Sequence, residues 1–72
     1  MRLISQDRTI DIPYERTMLK ADNISILAIW GNEIFRMGVY DSHERAKKVM
    51  IEVRNQWTEY GNNTLFYKFP KN

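Results

Sequence analysis

The chain has 72 residues, 43% hydrophobic and 28% charged, with a formal net charge of +2, three glycines, two prolines and no cysteine. That length holds one domain around one small core, and the balance of apolar and charged residues excludes disordered, collagenous and low-complexity classes. The absence of cysteine excludes disulfide scaffolds, thiol catalysis and thiolate metal sites.

The N-terminal residues lack the apolar stretch of a secretory signal, and the longest apolar run, Ile26 to Trp30, is too short to span a bilayer. The expected location is therefore the cytoplasm, without membrane contact. Positive and negative residues balance along the chain, with Lys68 and Lys71 supplying the excess, so no basic block stands out.

Arg2 to Ser5 and Thr9 to Ile12 read as two short strands around a turn at Gln6-Asp7-Arg8, and Pro13 closes the second because it cannot donate to a ladder. Arg16 to Lys20 reads as a strand, and Ala21-Asp22-Asn23 as a turn. Ile24 to Trp30 is apolar on both faces, with Ile24, Ile26, Ala28 and Trp30 on one side and Leu27 and Ile29 on the other. This is the pattern of a central strand. Gly31-Asn32-Glu33 suits a short hairpin connection. Ile34 to Tyr40 returns as a strand with Phe35, Met37 and Val39 on one face, and Gly38 inside it signals a bulge or a close backbone approach.

A helix follows from about residue 42 to residue 60. Asp41 is the expected cap, with Glu44 three residues on. Ala46, Val49, Met50, Val53, Trp57 and Tyr60 then form one apolar stripe, and Gly61-Asn62 ends it. Thr64 to Phe69 closes the chain as a strand before a loose tail at residues 70–72. The predicted fold is a single α+β domain over residues 1–72: a four- or five-stranded, mainly antiparallel sheet with one long amphipathic helix packed on one face.

Chemistry finds little support. Asp41-Ser42-His43 are consecutive, and consecutive residues at a helix start splay instead of converging as a triad must. His43 is expected in the solvated first turn. A lone histidine makes a poor metal site. The isolated glycines form no phosphate-binding loop. No enzymatic activity, cofactor or metal is expected. A nucleic-acid role would fall to Arg45, Lys47, Lys48 and Arg54 on the helix, but Glu44 and Glu52 lie one turn either side of Lys48, as on a self-neutralised solvated face. A protein-binding role would draw on Ile51, which leaves the apolar stripe, together with Leu65 and Tyr67 of the last strand and the outer face of Ile24 to Trp30.

The opening Met1-Arg2-Leu3-Ile4-Ser5-Gln6-Asp7-Arg8-Thr9-Ile10-Asp11-Ile12-Pro13-Tyr14-Glu15, the stretch Tyr40-Asp41-Ser42-His43-Glu44-Arg45-Ala46 and the closing Phe66-Tyr67-Lys68-Phe69-Pro70 resemble a family of small proteins encoded by low-GC Gram-positive bacteria and their phages or prophages. The chain departs from that pattern at Arg8, where the family often has glycine. The resemblance brings no assigned activity; it implies a mobile-element accessory protein that binds a host or phage macromolecule.

The expectation is thus a non-enzymatic protein-interaction module, with a small nucleic-acid-binding protein as the alternative. A core this small, without staples, also favours association, most simply a two-fold homodimer.

Overall fold

The computed structural model describes residues 1–63 and 65–71. Its six strands are β1 (Arg2–Ile4), β2 (Asp11–Pro13), β3 (Met18–Asp22), β4 (Ser25–Trp30), β5 (Glu33–Val39) and β6 (Phe66–Lys68), with one helix, α1 (His43–Tyr60), between β5 and β6. The α+β class and the single long helix agree with expectation. The single sheet does not: the strands form two three-stranded sheets, ordered β2-β1-β6 and β3-β4-β5. The cause lies at Pro13, after which Tyr14–Arg16 turn as a short 3-10 helix and carry the chain off the first sheet. The expected strand at Arg16 therefore begins two residues later, at Met18.

Pairing is antiparallel for β1-β2, β3-β4 and β4-β5, and parallel for β1-β6. β4 is central in its sheet, as its two apolar faces require. Asn23 (φ 56°) turns the chain from β3 to β4, and Gly31 (φ 63°) turns it from β4 to β5, each opening a two-residue connection. β5 carries the anticipated irregularity. Gly38 pairs with Ile26 and Arg36 with Leu27, so Met37 is the extra residue of a bulge. The bulge moves Val39 off the face that holds Phe35 and Met37, and it lies exposed opposite Ser25.

In α1 the cap is Ser42, one residue later than expected. Its hydroxyl accepts from the Arg45 amide at 3.1 Å, and Arg45 stands where a capping box would need a carboxylate. Gly61 ends the helix at φ 50° and donates its amide to Trp57. Ala46, Val49 and Val53 are buried with Leu3, Ile12, Ile26, Ala28, Met37, Tyr40 and Phe69 in one core, which joins the inner faces of both sheets to the helix. Trp57 is less deeply set than its place in the stripe suggests: it is half-buried, against the Tyr14 ring at 5.4 Å.

Pro70 and Lys71, expected in a loose tail, are held. The Gln6 amide nitrogen lies 3.1 Å from the Val39 carbonyl, 3.1 Å from that of Pro70 and 2.8 Å from that of Lys71, while its oxygen accepts from the Val39 amide at 3.0 Å. One side chain thus ties β5 to the chain end. Arg8, at φ 68°, occupies the left-handed conformation that favours glycine, and its guanidinium donates to the Phe69 carbonyl at 3.2 Å. Thr64 and Asn72, assigned from sequence to the last strand and the tail, lie outside the described residues.

Candidate interaction surface

The helix and the first sheet cover one face of β3-β4-β5 and leave the other open. Alternation decides which side chains stand there. Leu19 and Ala21 of β3 pair with Ala28 and Ile26 on the core side, so Met18, Lys20 and Asp22 point outward with Ile29, Leu27 and Ser25. Ile34 and Arg36 join them from β5. Two cross-strand rows result, an apolar one of Met18, Ile29 and Ile34 and a cationic one in which Lys20 and Arg36 flank Leu27. Met18 is 64% and Ile34 66% exposed, so the two ends of the apolar row are in water, with Ile29 half-buried between them. Neither Lys20 nor Arg36 forms an ion pair among the described residues.

The residues singled out from sequence fall in separate places. Leu65 is 76% exposed and, with Gln56, Tyr60, Asn63 and Phe66, lines an open groove where the helix end meets β6. Ile51 is also exposed, but nine residues along a helix rotate half a turn, so it stands on the opposite side of α1 from Tyr60. Tyr67 is half-buried and edge-on to Phe69 at 5.3 Å, and its hydroxyl donates to Glu52 at 3.1 Å. Burial, reinforced by Glu52, pushes its hydroxyl above the ordinary tyrosine range. It serves the junction of helix and sheet more than an open surface.

The four helix cations do not form one track. Lys47 and Arg54 share a flank, whereas Lys48 and Arg45 point progressively further round the helix at 100° per residue. Arg45 is engaged: it approaches Glu52 at 3.6 Å and lies 5.8 Å from the centroid of the Tyr40 ring. Lys47, Lys48 and Arg54 are exposed.

His43 has a structural contact that sequence reasoning missed. It is exposed, as expected, and its Nδ1 lies 2.7 Å from the Asn23 carbonyl, which requires a proton on that nitrogen. The helix start is thereby tied to the β3-β4 turn. Asp7 is also structural. Its Oδ1 accepts from the Thr9 hydroxyl (2.7 Å), the Ser5 hydroxyl (2.7 Å) and the Thr9 amide (3.0 Å), and these bonds lower its pKa to about 2. Among the described residues no group of three or more histidines or carboxylates is placed to hold a metal ion, and no helix is long and apolar enough to cross a membrane.

The arrangement offers mixed apolar and cationic contact area, and among the described residues no nucleophile, base and oxyanion donors converge. In comparisons with protein families, with curated proteins and with solved structures, nothing matches the chain.

Proposed function

We propose that this protein is a non-enzymatic interaction module that docks a partner protein on the outer face of β3-β4-β5. The observation that carries the reading is the row of Met18, Ile29 and Ile34, laid across three paired strands with Met18 and Ile34 open to water. Large side chains on a regular sheet cost solubility unless something covers them, and a scaffold of paired strands presents them in fixed positions. On this reading the partner is a host or phage macromolecule met in the cytoplasm, as the resemblance of the opening, helix-entry and closing segments to small phage and prophage proteins implies.

A photo-crosslinking residue at Met18 or Ile34, introduced in the producing cells, should yield a discrete protein adduct, and the same residue at Ile51 should not. Equal adducts from all three positions would remove the basis for the reading. Nucleic-acid binding remains the alternative for Arg45, Lys47, Lys48 and Arg54, and it requires affinity that falls steeply with salt.

A further inference from the structure

The outer face also carries the chemistry of its occupant, an inference that rests on the docking role just proposed. We propose that β3-β4-β5 receives an acidic amphipathic helix of another protein, with apolar residues on the Met18-Ile29-Ile34 row and carboxylates between Lys20 and Arg36.

The dimensions suit a helix. The two outer strands of a three-stranded sheet are about 9.6 Å apart, and a helix with its side chains is about 10–12 Å across. Successive rows on one face are about 6.7 Å apart along the strands, close to the 5.4 Å of a helical turn. A carboxylate one turn from the apolar contact therefore reaches the cationic row. An extended peptide would pair with a sheet edge, not with its face.

Charge selects the partner's sign and argues against a second copy. Lys20 and Arg36 flank Leu27 at the middle of the face, with Asp22 in the next row. A two-fold axis along the strands places β3 over β5 of the other copy and sets Lys20 against Arg36. A two-fold axis across the strands sets Lys20 against Lys20 and Arg36 against Arg36. Either centred arrangement opposes like charges, whereas acidic residues of a foreign helix answer both cations. The rows hold no aromatic side chain on which nucleic-acid bases could stack.

The test is selection of short displayed peptides on the full chain, followed by anisotropy titration of synthetic versions of the enriched sequences. Enriched peptides should carry apolar residues at helical spacing with Asp or Glu one turn away. The double substitution Lys20→Glu, Arg36→Glu should weaken their binding about tenfold or more, and added salt should weaken it for the native chain. Peptides that lack acidic residues, or that ignore the charge reversal yet lose binding with Ile34→Ser, would overturn the acidic helix and leave the docking face standing. Binding insensitive to both Ile34→Ser and Met18→Ser would overturn the docking face itself. A doubled mass in light scattering abolished by Ile34→Ser would identify a second copy as the occupant. Binding of a single-stranded oligonucleotide abolished by the charge reversal would identify nucleic acid instead, and either result would overturn the proposal. Thermal melts of each variant confirm that these exposed substitutions leave the fold intact.

Discussion

A Cβ added to Gly38 would lie 2.7 Å from the Tyr40 hydroxyl oxygen and 2.9 Å from its ring, so the tyrosine folds back over the one residue of β5 without a side chain. Tyr40 is 2% exposed, and its hydroxyl has no hydrogen-bond partner among the described residues. Gly38→Ala should destabilise the protein by about 2–3 kcal/mol, the cost of forcing extra volume into a packed core. Tyr40→Phe should be neutral or stabilising by up to about 1 kcal/mol, because it removes an unsatisfied buried group. Chemical denaturation of both single variants and the double variant measures the coupling, and Tyr40→Phe should recover part of the Gly38→Ala loss.

Alkaline titration reads the same burial. Tyr40 is pushed up to about 12, chiefly by burial, with Glu52 adding to the rise and Arg45 opposing it. A raised folded pKa contributes stability that is present below the unfolded value of about 10 and is lost as pH climbs through the folded one. Tyrosinate absorbance should therefore develop late for Tyr40 and Tyr67, and the late component should shrink in Tyr40→Phe. Four tyrosines titrating together near pH 10 would contradict the packing.

At the acid end Asp7 has the opposite sign. Its lowered pKa of about 2 stabilises the fold above the unfolded value of 3.8, and that contribution is lost as pH falls between them. Asp7→Asn should flatten the pH dependence of the melting temperature in that interval, with little further loss below it. An unchanged acid limb would mean that the hydrogen bonds from Thr9 and Ser5 do not hold the turn.

The bond from His43 to Asn23 makes His43→Ala mildly costly, about 0.5–1.5 kcal/mol, without loss of the native spectrum. His43→Gln, whose amide can still donate to a carbonyl, should retain part of the difference.

Self-association, expected from the size of the core, falls most naturally on β6, an edge strand beside exposed Leu65 and Phe66. A dimer mass in light scattering should be lost in Leu65→Ser and kept in Ile34→Ser. The reverse pattern would move the interface to the β3-β4-β5 face.

The helix, the hairpins and the central place of β4 were legible because each leaves a local period or a turn residue, such as Gly31 or Gly61. The division into two sheets was not, since Pro13 marks the end of a strand without showing that the 3-10 turn after it leads into a second sheet, or that β1 pairs in parallel with β6 from the far end of the chain. Gly38 announced an irregularity, but not that Met37 would be the extra residue, and so the face of Val39 was misassigned. Asp41 and Ser42 are both good caps by residue type, and only the structure shows that the Ser42 hydroxyl takes the Arg45 amide. The candidate surface was half visible. The sequence separates Leu27 and Ile29 from Ile26 and Ala28 without saying which pair faces outward, and Met18, Lys20, Ile34 and Arg36 join Leu27 and Ile29 only once the register is known. Ile51 and Leu65 share exposure, which the sequence suggests, but not a location, which it does not.

The most direct measurement of the central claim is amide chemical-shift mapping of the labelled chain with an enriched acidic peptide. The docking face predicts that the largest shifts fall on Met18, Lys20, Leu27, Ile29, Ile34 and Arg36, with α1 nearly silent. Shifts confined to α1 around Lys47 and Arg54, or to Tyr60, Leu65 and Phe66, would contradict it.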